Sequence, residues 1–405
     1  MARKNKYKKL FNVDAFFGTI FVFLTIFIFS LIFSADIFTP LKRVFEDFAI
    51  TDVNTYFRDE DNIKPDTNII LIDNSKLEFD ETLDLIAKLN VFNPKVIALE
   101  ELHFDEISPE SMTKLDSLIS ELKNKFVIGY RLFDLEKQDY LNIYDSIRYN
   151  FYNRHRDILG YIDLDFQKDK RFYTQREFFP IIKADSGIIH SLAYKISFLF
   201  GSKHLDKRYT DKTDKEVINF IGNFNKFFFY RGKELLYDEE PVNRFTNKII
   251  LIGNCPVFDS EKELDDLYFT PLNKNYAGRT FPDMFKVIII ANIINMFNQG
   301  SFYNIMPGLF IILIAFLITY FNFILFLKVT EYKKELYELV SIFAFLIQST
   351  LIILLTYYFY FSFNFDLKLT LSLIAIAATV FIFEAYVDSI KPFFLYIYNQ
   401  AKKIF

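Results

Sequence analysis

Acidic and amide side chains follow several short apolar segments of the chain. Asp73 ends one such segment, Glu100 follows a second, Asn254 follows a third, and Asp266 closes the acidic loop beyond it. In an open α/β sheet the ligand crevice lies beyond the carboxyl ends of the strands. The pattern therefore predicts a pocket at these four residues, where converging carboxylates bind a cation, a sugar or a cationic solute. The alternative interpretation is that the acids cap helices, pair with Lys or Arg, or face water.

Other residue patterns that carry catalysis are missing from the sequence. The four histidines are scattered, with no i,i+4 pair, and neither a Walker-type phosphate loop nor a Gly-x-Ser-x-Gly elbow occurs. Cys255 is the single cysteine, which excludes an internal disulfide, and no basic residue adjoins it to favour a thiolate. We therefore expect Cys255 to be packed rather than nucleophilic, and we expect no enzyme activity, no metal site and no cofactor.

The elements that position the four pocket residues are short apolar runs separated by helical patterns. Such runs, without polar alternation, indicate strands that are buried on both faces. Leucines at helical spacing predict helices at 81–89 and 111–123, and Ser108 with Pro109 is a suitable cap for the second. We also predict an antiparallel hairpin at 160–166 and 172–175 and a helix at 188–200. The fold class is α/β with a mainly parallel or mixed sheet, and its predicted buried strands are 68–72, 96–99, 126–129, 217–221 and 249–252.

A helix is predicted to run from Pro282 to Gln299 and to end at Gly300. Proline is favoured in a first helical turn, Asp283 would face the positive end of the helix dipole, and glycine is the commonest residue just after a helix. An apolar segment follows almost immediately. We therefore interpret this helix, which also contains Asn292, as the element that relays a signal from the domain to the membrane.

Apolar runs at both ends of the chain predict four transmembrane helices. Hydrophobic residues are 52% of the chain while 24% are charged, which suits separate membrane and aqueous parts. Lysine and arginine flank the spans so that both termini are expected in the cytoplasm. Asn322 and Gln348 lie near the middle of spans, and we expect them to turn inward and hydrogen-bond to another helix. The predicted regions are a basic cytoplasmic amino terminus, a membrane helix, an extracytoplasmic domain, three further membrane helices and a short amphipathic cytoplasmic tail, at 1–15, 16–35, 36–304, 305–328, 338–360, 368–386 and 387–405.

The order of anchor, α/β block and three closing spans resembles proteins that carry the type-two CHASE domain, an extracellular sensory domain associated with cyclases and histidine kinases. As an ordered set the matching segments cover roughly residues 40 to 300, which is more specific than any one of them. The resemblance implies signal input in the bacterial periplasm, relayed to a kinase or cyclase in the cytoplasm. The matching segments are Ile69-Ile-Leu-Ile-Asp73, Pro94-Lys-Val-Ile-Ala98, Gly160-Tyr-Ile-Asp-Leu-Asp165, Lys248-Ile-Ile-Leu-Ile-Gly253, Asp266-Leu-Tyr-Phe-Thr-Pro271 and Val287-Ile-Ile-Ile-Ala-Asn292.

Two features depart from that family pattern. Where the family has Gly-Val-x-Ile-His-Ala-Asn, this chain has Lys286 in place of the glycine and Ile290 in place of the histidine. In addition, no output domain follows the last span, so we expect a cytoplasmic signal to pass through a separate protein.

Two functional hypotheses follow. In the first, the domain senses a ligand or the state of the cell envelope, and the membrane helices pass the signal to a separate membrane or cytoplasmic partner. In the second, the domain is a non-sensing scaffold subunit of a membrane complex. In either case we expect contact with the lipid bilayer of the bacterial inner membrane, and a homo-oligomer is compatible with both. The net charge of -4 argues against nucleic-acid binding, which needs a clustered basic surface.

Overall fold

The chain divides into two compact units, one of residues 1–54 with 304–405 and one of residues 55–303. Each unit has its own apolar core. The first helix, α1 (Val13–Phe33), belongs to the first of these units. The computed structural model describes residues 12–33, 63–102, 107–132, 150–164, 173–184, 187–209, 214–237, 244–257, 267–273 and 281–404.

A parallel sheet forms the centre of the unit of residues 55–303. Within the described residues it has six strands in the order β4-β3-β2-β6-β1-β5, and all neighbouring pairs are parallel. The predicted α/β class with a mainly parallel sheet is therefore confirmed. In chain order the strands β1 to β6 are Ile69–Asp73, Val96–Leu99, Phe126–Tyr130, Leu159–Tyr161, Phe228–Arg231 and Ile249–Gly253.

Helices cover both faces of this sheet. The first two in this unit, α2 (Phe79–Asn90) and α3 (Pro109–Leu122), pack on one face. The other face is covered by α4 (Leu192–Phe200) and α5 (Lys286–Gln299), and α5 is buried along nearly its whole length. Apolar residues on both faces of a strand are thus removed from water, which explains why the central strands are uniformly apolar.

Short elements complete this unit, and in the described residues they pair outside the central sheet. Two-residue or four-residue ladders join Glu177–Phe178 to Glu216–Val217, Ile181–Ala184 to Gly187–His190, and Leu267–Tyr268 to Met284–Phe285. Single helical turns occupy Lys123–Lys125, Arg156–Ile158, Leu205–Arg208, Phe224–Lys226 and Gly232–Tyr237.

The strand predicted at 217–221 is wrong as a strand of the central sheet. Val217 pairs with Glu177 in a two-residue ladder outside that sheet, and the Ile221 N–H donates to the side chain of Asn292 at 2.7 Å. The edge position belongs instead to β5, which pairs with β1.

Two further predicted elements differ from the structure. The antiparallel hairpin predicted at 160–166 and 172–175 is wrong in its described part, because β4 pairs in parallel with β3 and Thr174 forms a parallel bridge with Phe269. Residues 165–172 lie outside the described residues. The helix predicted at 188–200 begins only at Leu192, since Gly187–His190 forms a strand and Ser191 caps the helix by accepting from the Tyr194 N–H at 3.2 Å.

The other unit is built from helices. With α1, the helices α6 (Gly308–Tyr332), α7 (Leu336–Phe363) and α8 (Thr370–Ala385) are long and apolar enough to cross a membrane, and α8 continues through the π-helical turn Tyr386–Ile390 into α9 (Lys391–Ile404). Among the described residues four such spans are found. The short strands Asn304–Ile305 and Phe365–Asp366 pair in parallel within this unit.

A reciprocal amide pair joins two of the membrane helices. The Asn322 Nδ2 donates to Gln348 Oε1 at 2.9 Å, and Gln348 Nε2 donates to Asn322 Oδ1 at 2.7 Å. Both amides therefore satisfy each other where water is excluded, which is the arrangement predicted from their mid-span positions. This prediction is confirmed.

Candidate functional site

The carboxyl ends of three adjacent strands meet at one edge of the sheet. Glu100 and Glu101 follow β2, Asn254 follows β6, and the first residue of α5, Lys286, reaches the same place from the helix layer. A cleft of about 50 Å³ lies there, which is room for a few water molecules. It is lined by Asn74, Leu99, Glu100, Glu101, Gly253, Asn254 and Lys286.

Lys286 forms a buried ion pair with both carboxylates. Its Nζ lies 3.1 Å from Glu101 Oε2 and 3.8 Å from Glu100 Oε1, and its side chain is only 9% exposed. Arg131 binds Glu101 from the other side, with Nη2 2.9 Å from Oε2. Two carboxylates and two cations thus form one network at the edge of the sheet, and Lys286 and Glu100 are its most buried members.

The charges of this network keep Lys286 and Glu101 ionised in spite of their burial. Burial alone would lower the pKa of Lys286, but the carboxylates of Glu100 and Glu101 outweigh it, so the pKa of the lysine is raised. Burial would likewise raise the pKa of Glu101, yet the charges of Lys286 and Arg131 outweigh it, so the pKa of this carboxyl is lowered. The ammonium and the Glu101 carboxylate therefore stay charged near neutral pH.

Two glycines make room for Glu100. A β-carbon on Gly253 would lie 2.3 Å from the Glu100 Oε2, and a β-carbon on Gly129 would lie 1.7 Å from the Glu100 carbonyl oxygen. The strands on either side of β2 therefore need glycine where they pass the glutamate, which explains why β3 and β6 both carry one near their carboxyl ends. Burial of Glu100 at 5% exposure depends on both positions.

The four predicted pocket residues are only partly brought together. Glu100 and Asn254 line the cleft as predicted. Asp73 lies at the same edge, but its Oδ1 accepts hydrogen bonds from the N–H groups of Ser75 at 3.0 Å and Cys255 at 3.1 Å, so the carboxylate organises two loops. Asp266 lies outside the described residues. Whether these four positions bind a ligand together stays a prediction.

Cys255 is buried within the core, as predicted. Burial raises the pKa of its thiol, and the negative charges of Asp73 and Glu100 raise it further. A thiol in such surroundings is a poor nucleophile. Within the described part of the chain, no group of three or more His, Cys, Asp or Glu side chains is placed to hold a metal ion.

The predicted relay helix begins four residues later than the sequence indicated. Pro282 precedes α5, because the segment after it is extended and pairs with Leu267–Tyr268. Asp283 fixes this geometry, since its carboxylate accepts hydrogen bonds from the Thr270 N–H at 2.8 Å and from the Thr270 hydroxyl. Burial raises the pKa of Asp283 to about 6, although these hydrogen bonds oppose the rise. The prediction that Asp283 lies in the first helical turn is therefore wrong.

The other two residues assigned to this helix have structural contacts. Asn292 is fully buried; its Oδ1 accepts from the Ile221 N–H at 2.7 Å, and its Nδ2 donates to the Gly222 carbonyl at 3.0 Å. Gly300 follows the last helical residue with φ +66°, a left-handed conformation that favours glycine, so the predicted end of the helix is confirmed. A role of these residues in relaying a signal stays a prediction.

Sequence reasoning missed that Lys286 and Arg131 belong to the site. Lys286 stands out in the sequence as a departure from a family pattern, but an ammonium at the amino end of a helix is unfavourable and gave no reason to place it against strand ends. A charged residue within a strongly apolar helix was the available signal, since a buried cation needs a paired anion.

A buried parallel sheet with helices on both faces, an edge cleft and four helices apolar enough to cross a membrane define an α/β protein with candidate membrane spans. The family model of the CHASE2 domain matches residues 23–327, more than half of the chain, so the chain belongs to the CHASE2 family. This match confirms the resemblance inferred from the sequence. No curated protein and no solved structure matches the chain.

Proposed function

We propose that this protein is a membrane-anchored receptor whose CHASE2 domain receives a signal at the edge cleft and relays it through α5 to the membrane helices. The observation that carries the proposal is the position of Lys286, which is at once a wall of the cleft and the first residue of α5. From the end of α5 only eight residues of chain lead to α6 at Gly308. A change at the cleft therefore acts directly on the element that precedes the membrane.

The ion-pair network suggests how the cleft acts. Lys286 is held by two carboxylates and its side chain is only 9% exposed, so its energy depends strongly on their charge and position. A solute that binds Glu100 or Glu101 weakens the hold on the ammonium and shifts the start of α5. A ligand shifts such an equilibrium only by its difference in affinity for the two positions.

The proposal includes a place in the cell and a partner. The domain lies in the periplasm and the helices in the bacterial inner membrane, with both termini in the cytoplasm. A separate membrane or cytoplasmic protein receives the signal, and the chain acts alone or as a homo-oligomer without nucleic acid or enzyme activity. The charge asymmetry around the spans and the usual extracellular place of CHASE2 domains support this topology.

A scaffold function is the second candidate, and one observation favours it. The groups expected to meet a ligand are used inside the protein, because Glu100 and Glu101 bind Lys286 while Asp73 binds backbone N–H groups. A domain of this kind presents a fixed surface to other subunits. Its fold then serves assembly and responds to no solute.

Two measurements on the intact protein separate these functions. After gentle solubilisation of native membranes, mass spectrometry of the purified protein identifies stoichiometric partners. In parallel, the melting temperature is recorded with a panel of cations, amines and sugars, because a ligand of the folded state raises it. Glu100→Gln tests the cleft, and Asp84→Asn is the matched control, since Asp84 is exposed in an ion pair with Lys114.

The receptor proposal expects a solute that stabilises the wild type and the control but not Glu100→Gln, together with a kinase, cyclase or regulator as partner. A constant secretion, motility or cell-wall partner, with no stabilising solute, would show that the scaffold function is correct.

A further inference from the structure

The chain that leaves α5 is held by side chains from a segment far away in sequence. Residues 301–303 follow Gly300, and they contact Arg208, Tyr209 and Asn219 of the same unit. Phe302 and Tyr303 are buried, at 9% and 6% exposure. The short connection toward the membrane helices is therefore part of the domain core up to Tyr303.

Arg208 contacts this connection in two ways. Its Nη2 donates to the Tyr303 carbonyl at 3.1 Å, and its guanidinium lies 4.4 Å from the centre of the Phe302 ring. The same guanidinium is oriented by a bidentate pair with Glu216, at 2.7 and 2.9 Å. Arg208 thus has a fixed position before it binds the connection.

Asn219 provides the second attachment. Its Nδ2 donates to the Ser301 carbonyl at 2.9 Å, and its Oδ1 accepts from the Tyr303 hydroxyl at 3.3 Å. Two residues further on, the same segment is bound to the middle of α5 through Asn292 and the Ile221 N–H. The segment therefore binds both the helix and the chain that leaves it.

We infer that Arg208 and Asn219 form an exit clamp, which fixes residues 301–303 to the domain so that a displacement of α5 is passed on to the membrane helices. Without the clamp, four residues after a helix would rotate about their backbone bonds and absorb a small displacement. With it, the connection follows α5. This inference rests on the proposed relay function, and it assigns Arg208 and Asn219 a positioning role that neither the cleft nor the family match indicates.

Hydrogen exchange of the full-length protein in detergent tests the clamp itself. In Arg208→Ala, the amides of residues 301–305 should exchange at least about tenfold faster, since a charge-assisted hydrogen bond is lost, whereas β6 stays protected. Asn219→Ala should have a similar but smaller effect, and Arg208→Lys an intermediate one because it keeps the charge beside Glu216. Arg154→Ala is the matched control, as Arg154 is an exposed arginine paired with Asp116.

Unchanged exchange at 301–305 in both alanine variants would overturn the clamp. So would a uniform increase over the whole domain, because it would show that the two side chains serve general stability. Tyr303→Phe removes only the hydroxyl bound to Asn219, so it gives the same test with little risk to folding.

Transmission is measured with spin labels at Lys333→Cys and Gln400→Cys, both in the helical unit, while the buried Cys255 stays unlabelled. The distance between the labels should change in Lys286→Met and return to the wild-type value when Arg208→Ala and Asn219→Ala are added. A change that persists in the combined variant would overturn the clamp and leave the relay intact. No change in Lys286→Met alone would refute the relay, while the exchange experiment still decides whether the clamp exists.

Discussion

Replacement of Lys286 by methionine removes the buried cation and keeps the volume of the side chain. Glu100 and Glu101, at 6% and 12% side-chain exposure, then each lose a paired positive charge. Removing one partner of a buried pair costs about 3–5 kcal/mol. Arg131 still binds Glu101 at 2.9 Å, so we expect the lower end, about 3 kcal/mol. For a domain of this size that lowers the melting temperature by about 6–12 °C.

The loss of folding stability caused by Lys286→Met should become smaller as the pH falls. The pKa of Glu101 is lowered in the folded state, so its contribution to wild-type stability is present above the ordinary carboxyl pKa and is lost as the pH falls through the lowered value. In the variant, protonation of the buried carboxylates removes their uncompensated charge. The second effect narrows the difference in stability between wild type and variant as the pH falls from 7.5 to about 4.5, and the first effect narrows it further below the ordinary carboxyl pKa.

The assay is thermal unfolding of the full-length protein in one detergent at several pH values. Lys114→Met is the matched control, because Lys114 pairs with Asp84 on the surface and should change stability by less than about 0.5 kcal/mol. Adding Glu100→Gln to Lys286→Met should recover part of the loss, since one buried charge is removed. A melting temperature of Lys286→Met within 1 °C of the wild-type value would refute the ion-pair account. So would a decrease in melting temperature that is the same at pH 4.5 and 7.5.

Three further predictions concern other parts of the chain. Burial raises the pKa of Asp283 to about 6, so ionisation costs stability as the pH rises from about 4 to 6; Asp283→Asn should stabilise the domain at pH 7.5 by about 1 kcal/mol and flatten this part of the melting profile. Asn322→Leu should lower the free energy of unfolding by about 1 kcal/mol, measured by thermal unfolding. The double variant with Gln348→Leu should lose less than the sum of the two single variants, and strict additivity would show that the amide pair contributes nothing. Gly253→Ala should lower the melting temperature, because the new β-carbon meets a carboxylate oxygen at 2.3 Å, at a cost of about 1–3 kcal/mol; an unchanged value would mean that Glu100 moves freely.

The central strands could be predicted because burial on both faces makes their sequence uniformly apolar. β2 was predicted at its observed bounds, and β1 and β6 within one residue at each end. The edge strand β5 was missed: Phe228–Arg231 begins with three consecutive aromatic residues, but both of its end residues are exposed and the last is charged, so it lacks the buried apolar character of the central strands. Conversely, residues 217–221 have the right composition for a strand, but Val217 pairs outside the central sheet and the Ile221 N–H is bound by the side chain of Asn292, a contact distant in sequence.

The edge cleft was predicted in position but not in composition. Glu100 and Asn254 could be placed because the carboxyl ends of parallel strands share one edge, which is a property of the fold class. Whether a carboxylate there faces a ligand, a loop or a lysine depends on the helix layer. Asp73 and Glu100 both follow apolar segments and are equally good pocket candidates by sequence. In the structure Asp73 binds backbone N–H groups, whereas Glu100 binds a buried ammonium.

The helix dipole makes the position of Lys286 informative. A lysine in the first turn of α5 adds its charge to the positive end of the helix and is desolvated there, so both local terms oppose it. Glu100 and Glu101 are the main groups that offset these costs, and they do so only while the start of α5 stays within about 4 Å of the end of β2. A methionine of similar volume would pack in the same place without either cost. Sequences depart from such local preferences mainly at functional sites. The ion pair of Lys286 therefore supports the proposal that the position of α5 depends on the charge state of the cleft.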